Sequence, residues 1–196
     1  MKILAIIGSP RKKSNTTTLL NEFIAGAESE GAEVTTITPH RMKIGPCLAC
    51  DGCYKTGRCI VKDEFQAQYE AVLASDALVL ATSIYFGAMT AQVKAFIDRF
   101  QCFWARRDIV KDPLPPGPAG KPRKGVLISV GGIDKPIMFA GARTTFDFVM
   151  RSLDGEFWAE LNYGGYDERD AIRENPEALA RARELGRRLA LGLAAE

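Results

Sequence analysis

The chain has 196 residues, 46% apolar and 26% charged, with 26 basic against 24 acidic side chains and a formal charge of +2. A chain of that length buries roughly 70% of the surface its unfolded form exposes, so one domain spanning 1–196 is expected without disulfide staples. The balance of charge excludes a disordered acidic or basic tail and a nucleic-acid footprint, and no apolar run approaches the ~18 residues of a membrane span.

The first element is an apolar run, Ile3 to Ile7, which reads as a strand buried on both faces. It is too short for an export signal, and with an odd cysteine count it predicts a cytoplasmic protein. Gly8-Ser9-Pro10-Arg11 and Ser14-Asn15-Thr16 follow and open a helix whose Leu19, Leu20, Phe23, Ile24 and Ala27 share one face. Such a junction is an anion site, because unpaired N–H groups and the positive end of the helix dipole point at whatever sits there. Ser14 or Asn15 would cap the helix, Ser9 and Thr16 would add hydroxyls, and Arg11 a charged fork. Neither G-x-G-x-x-G nor G-x-x-x-x-G-K-[ST] is present, so the loop suits a terminal monophosphate, such as that of flavin mononucleotide, or is simply a capped helix start.

Val34 to Ile37 reads as an edge strand. Residues 39–62 then break the rhythm with Cys47, Cys50, Cys53 and Cys59, spaced C-x2-C-x2-C-x5-C. Three equally spaced sulfurs and a fourth beyond a glycine-bearing turn resemble the wrap of a [4Fe–4S] cluster, which is the leading assignment. Zinc, and free reactive thiols without metal, are the alternatives. His40 reads as a solvent-facing turn residue and Cys102 as a buried thiol.

Phe65, Tyr69, Val72 and Leu73 mark a second helix, Ala77 to Ala81 a third strand, and Val93, Phe96, Ile97 and Phe100 a third helix. Between the last two lie Ser83, Ile84, Tyr85, Phe86 and Gly87, with two aromatics and a bare backbone, which would contact a flavin ring or pack in the core. The proline-rich 111–125 stretch predicts a surface loop that borders either the pocket or a subunit contact. Val126 to Val130 is a fourth strand ending in Gly131-Gly132; Phe146, Val149, Met150 and Leu153 mark a helix, and Phe157 to Leu161 a fifth strand. The last helix opens at Asn175-Pro176 and carries Ala182, Leu185, Leu189 and Leu193 on its apolar face, its arginines forming a solvated face. Trp104 and Trp158 read as core residues before ring contacts. Alternating strands and helices give an α/β doubly wound five-stranded parallel sheet of order 2-1-3-4-5, with ligands gathering beyond the strands' carboxyl ends.

Gly8-Ser9-Pro10-Arg11 with Asn15-Thr16, and Ile84-Tyr85-Phe86-Gly87 followed by Ala91, Lys94, Phe96, Asp98 and Arg99, resemble the flavodoxin-like NADPH-dependent FMN reductase family. Ser83 departs from the proline usual there. The resemblance implies FMN held by Ser9, Arg11, Ser14, Asn15 and Thr16 at its phosphate, and by residues 83–87 with Gly131 and Gly132 at its ring. The cysteine spacing resembles the iron–sulfur flavoprotein branch, with Cys47, Cys50, Cys53 and Cys59 as ligands. It implies a homodimer or dimer of dimers in which each cluster lies close to a neighbouring subunit's flavin. Ferredoxin, NAD(P)H, quinones and oxygen species are the candidate electron partners, and no side chain stands out as a general acid or base.

Overall fold

The computed structural model describes residues 1–11 and 13–195. Strands β1 (Lys2–Ile7), β2 (Glu33–Ile37), β3 (Ala77–Tyr85), β5 (Lys124–Val130) and β6 (Glu156–Tyr163) pair in parallel in the order β2-β1-β3-β5-β6. This is the expected five-strand order. A sixth strand, β4 (Ala88–Met89), turns back antiparallel on the end of β3 and lies off the main path. Two-residue strands carry no periodicity, which is why the sequence did not announce it.

Helices α1 (Asn15–Ser29) and α6 (Pro176–Ala190) cover one face of the sheet; α2 (Phe65–Leu73), α3 (Ala91–Asp98), α4 (Gln101–Trp104) and α5 (Ile137–Ser152) cover the other. Each central strand therefore alternates between two apolar cores. In β3, Leu78 and Leu80 join the Phe65, Tyr69, Phe96, Phe100, Phe103 and Phe146 cluster, while Val79 and Ala81 face Leu19, Phe23, Ala182 and Leu189. Burial on both sides explains why these strands read as continuous apolar runs.

Both helix starts hold as expected. Ser14 Oγ accepts from the Thr17 N–H at 3.1 Å, and Asn175 Oδ1 accepts from the Ala178 N–H at 3.0 Å ahead of Pro176. The apolar stripe of α6 is shorter than its spacing implied: Leu193 lies past the helix end and is exposed. The α6 arginines also do more than face solvent, since Arg183 pairs with Glu22 and Arg187 with Glu30 across to α1. Phe100, expected within the third helix, sits in the turn joining α3 to α4, and α4 runs on into a π-helical turn at Ala105–Ile109.

Of the expected 111–125 loop, residues 111–123 are loop, at the amino-terminal edge of the sheet, while Lys124 and Gly125 already belong to β5. Ala119 N–H donates to Asp76 Oδ1 at 2.7 Å, and buried Arg123 donates to the carbonyls of Pro115 and Leu73. Asp76 immediately precedes β3, so this loop lies opposite the strand ends where ligands gather, and its expected alternative role over the pocket is set aside. No helix of the described residues is long and apolar enough to cross a membrane.

Candidate functional site

At the carboxyl ends of the strands, backbone bonds gather four loops. Gly8 N–H donates to the Ala81 carbonyl at 2.7 Å, Thr90 Oγ1 donates to the Gly8 carbonyl at 2.8 Å, and Gly131 N–H donates to the Tyr163 carbonyl at 3.0 Å. Between them lies a cavity of roughly 120 Å³ lined by Arg11, Ser14, Asn15, Thr16, Ser83, Ile84, Tyr85, Val130, Gly131, Gly132, Tyr166 and Asp167. Nine of the twelve cofactor-binding residues expected from sequence are in that set. Thr16 Oγ1 and Ser83 Oγ stand 3.2 Å apart, joining the helix start to the end of β3.

Ser9, Phe86 and Gly87 are not among the lining residues. Ser9 is buried beneath the loop, its Oγ accepting from the Arg11 N–H at 3.4 Å, so it shapes the loop from below. Phe86 is fully exposed and, like Gly87, has a positive φ (51° and 71°), so the hairpin to β4 swings its ring out to the rim of the cleft. Core packing, the alternative for Phe86, is thereby excluded.

Asn15 lines the cavity, but its side chain is fully occupied elsewhere. Nδ2 donates to the carbonyls of Tyr166 (3.2 Å) and Glu168 (2.8 Å), and Oδ1 accepts from the Ile172 N–H (3.0 Å). The side chain thus serves as a scaffold for the 166–172 loop, and what Asn15 offers an anion is its N–H at the helix start. Asn15→Ala orphans three backbone groups of the 166–172 loop and is expected to cost about 2–3 kcal/mol, read as a lowered denaturant midpoint; an unchanged midpoint refutes the tie. Tyr166 and Asp167 were missed. Their signal was available, since Gly164-Gly165 puts bare backbone after the fifth strand as Gly131-Gly132 does after the fourth.

The cysteine loop follows β2 and closes on α3 and α4. Cys47, Cys50, Cys53 and Cys59 border one small cavity with Leu48, Ile60, Val61, Arg99, Gln101 and Cys102. Ala49 (φ 49°), Asp51 (φ 54°) and Gly57 (φ 69°) take left-handed backbone and curl the loop around it. Burial pushes the Cys53 thiol up, against a hydrogen bond from its own N–H, and the sulfurs of Cys59, Cys47 and Cys50 add to the rise. Beneath them Arg99 is 1% exposed and pairs with Asp63 at 2.7 Å. Burial opposes the Asp63 charge, but the Arg99 guanidinium and the N–H groups of Phe65 and Gly45 outweigh it and hold the carboxyl below its usual range. Burial likewise opposes the Arg99 charge, and Asp63 and Cys59 outweigh it.

Cys102 is the buried thiol expected, pushed up to about 12 by burial and then by the nearby Cys59. Its thiolate fraction near neutral pH falls by on the order of a thousandfold relative to an ordinary cysteine. In reduced, metal-free protein, alkylation followed by mass spectrometry is expected to label exposed Cys50 first and Cys102 last; early labelling of Cys102 contradicts this burial. His40 is half-buried in a 3-10 turn, with Nδ1 buried and unpartnered, and so is not the solvent-facing residue expected. Trp158 packs in the core beneath Lys124 as expected, whereas Trp104 packs edge-on against Tyr54 of the cysteine loop.

The donor set fits an iron–sulfur group in kind: four thiols on one cavity, apolar flanks and a buried cationic N–H donor. Among the described residues no group of three or more His, Cys, Asp or Glu side chains is arranged to hold a metal ion. The fit therefore rests on donor chemistry and the shared cavity. The hydroxyl-lined helix start fits a phosphate in the same sense, with Arg11 supplying charge.

A parallel sheet in this order, with a hydroxyl-lined helix start at its carboxyl edge, defines a flavodoxin-like protein. Residues 1–138 match the sequence profile of the NADPH-dependent FMN reductase family. The chain belongs to that family. An iron–sulfur flavoprotein of Archaeoglobus fulgidus is 33% identical over 141 residues, 72% of this chain and 60% of that protein. Another, of Methanocaldococcus jannaschii, is 33% identical over 151 residues, 76% of this chain and 71% of that protein. The chain spans about half to two thirds of the length of several of the curated relatives it matches. Among solved structures, the NAD(P)H:quinone oxidoreductase from Methanothermobacter marburgensis superposes with a TM-score of 0.68 at 20% identity, covering 96% of each chain.

Proposed function

We propose that the chain is a single FMN-binding unit that couples a flavin to a [4Fe–4S] cluster and mediates between one-electron and two-electron partners. The carrying observation is the presence in one chain of two cavities with no lining residue in common: a hydroxyl- and amide-lined helix start, and a pocket of four cysteines. FMN supplies hydride or single-electron chemistry, and the cluster supplies single-electron chemistry. Ser14, Thr16 and the Asn15 N–H would hold the phosphate, with Arg11 as its charge partner and Ser83 joining this end to the ring site through its 3.2 Å contact with Thr16. Ile84, Tyr85, Gly131 and Gly132 would present apolar contact and N–H donors to the ring, with Phe86 and Gly87 at its open rim. The roughly 120 Å³ enclosed space is small for a whole flavin, so the rim takes the ring. Cys47, Cys50, Cys53 and Cys59 would hold the cluster.

The family membership and the iron–sulfur flavoproteins among the relatives support this reading, and with it goes the proposal of a homodimer or dimer of dimers, which the family resemblance implies. NAD(P)H, quinones, ferredoxin and oxygen species are the proposed partners, in the cytoplasm. The test is anaerobic purification of the full chain. About four irons per chain, flavin bands and a broad visible absorption that dithionite bleaches are expected. Arg11→Ala should lower flavin content severalfold and leave iron unchanged. Flavin without iron identifies an NAD(P)H-dependent FMN or quinone reductase instead, and zinc without flavin a regulatory module.

A further inference from the structure

Arg99 sits in the turn between α3 and α4, and every nitrogen of its guanidinium is engaged. Nε donates to Cys59 Sγ at 3.2 Å. One terminal nitrogen donates to the Gly45 carbonyl (2.9 Å) and Asp63 Oδ2 (2.7 Å); the other donates to Asp63 Oδ1 (3.1 Å) and the Val61 carbonyl (3.3 Å). The guanidinium also lies over the Phe65 ring, 4.7 Å from its centroid. Gly45 precedes Cys47, and Val61 and Asp63 follow Cys59. One side chain therefore ties together both ends of the segment that carries all four sulfurs. Among the described residues it is also the one side-chain donor bonded to any of those sulfurs.

We propose that Arg99 is a positioning residue of the cysteine centre, singling out Cys59 as the corner where added negative charge is stabilised and so raising the reduction potential of the group held there. The inference rests on the cluster reading above. An N–H donated to a cluster sulfur favours the reduced form, which carries the extra negative charge, and a buried full charge does so more strongly than a neutral donor. Asp63 opposes it. Its carboxylate offsets part of the Arg99 charge while holding the fork in place, so the pair sets the potential between two limits.

The two partners should therefore act with opposite signs, which a purely structural role would not produce. The experiment is a dye-mediated redox titration of the anaerobically prepared full chain, with iron and flavin measured on every sample. Arg99→Gln removes the charge and leaves the Asp63 carboxylate uncompensated, so the cluster potential should shift negative. Asp63→Asn removes the opposing charge and should shift it positive. Arg99→Lys keeps the charge without the fork and should fall between wild type and Arg99→Gln. If Arg99→Gln loses its iron, a negative shift in Arg99→Lys with a positive one in Asp63→Asn carries the same conclusion. Iron-loaded variants that all titrate with wild type, or that shift in one direction together, overturn the proposal, as does loss of iron from both Arg99 variants with Asp63→Asn unshifted. Wild-type protein that binds flavin but no iron fails the cluster reading itself, and is told apart from those outcomes by its iron content.

Discussion

On the proposed reading of the two cavities, Gly57→Ala is expected to keep flavin and lose most of the iron. Gly57 lies two residues before Cys59 with φ at 69°, where a side chain costs about 1–2 kcal/mol on backbone grounds. It also has no room. An added Cβ would stand 2.5 Å from Arg106 Cβ, 2.6 Å from Cγ and 2.9 Å from Cα. Arg106 cannot readily withdraw, because it belongs to the π-helical turn and its Nε is held by Asp112 at 2.7 Å. The neighbouring bonds would be pulled apart as well: Gly57 N–H donates to the Cys53 carbonyl at 2.8 Å, and the Gly57 carbonyl accepts from Tyr69 Oη at 3.2 Å. These contacts, together with the Arg99 bond to Cys59 and the Gln66 bond to its carbonyl, fix Cys53 and Cys59 relative to each other. Taking about 2 kcal/mol as the cost of forming the loop, the equilibrium constant for the binding-competent loop falls roughly 30-fold. Iron and flavin assays on the same anaerobic sample check this, and a full complement of iron in the variant would show that the loop docks without Gly57.

The layers of the fold were legible because burial on both faces writes itself as continuous apolar runs, as in Ala77 to Ala81, and because helix caps are local chemistry, as at Ser14 and Asn175. The candidate site was legible to the same depth. Hydroxyls at a helix start and glycines after a strand are local signs, and nine of the expected residues share one cavity. What escaped reading depends on partners far along the chain. Asn15 looks like a cap or an anion ligand until residues 166–172, some 150 positions away, are brought to its side chain. Arg99 is one charge in a helical pattern until Gly45, Cys59 and Asp63 arrive from another loop. The proline-rich loop had no readable address, since its place at the amino-terminal edge is set by Asp76 and Arg123 rather than by its own composition.

Gly186→Ala is expected to be the most destabilising of these single-methyl changes, even though alanine is favoured over glycine in a helix by about 1 kcal/mol. Helices α1 and α6 touch backbone to backbone. A Cβ on Gly186 would fall on the Phe23 carbonyl and stand 2.9 Å from Ala27 N, and a Cβ on Gly26 would fall on the Arg183 carbonyl. None of these obstacles is a side chain that can rotate away, so the helices must separate. Their separation would open the packing of Phe23, Ala182, Leu185 and Leu189. The flanking Arg183–Glu22 and Arg187–Glu30 pairs are partly exposed and worth at most about 1 kcal/mol each, too little to hold the helices at the wrong distance. A net loss of about 3 kcal/mol follows from overpacking, or roughly 6–12 °C in the thermal midpoint of a chain this size. Gly45→Ala, where nothing lies within 4 Å of the added Cβ, is the neutral comparison. The consequence reaches the candidate flavin site, because α1 begins at that site and α6 holds α1 against the sheet. Although α6 lies outside the 138 residues that carry the family signature, it keeps the hydroxyl-lined helix start in register with Ser83 and Gly131. Thermal melts of the two alanine variants, with flavin retention measured below the transition, test both halves of this account; a Gly186→Ala midpoint at or above wild type would mean that the helices tolerate a wider spacing.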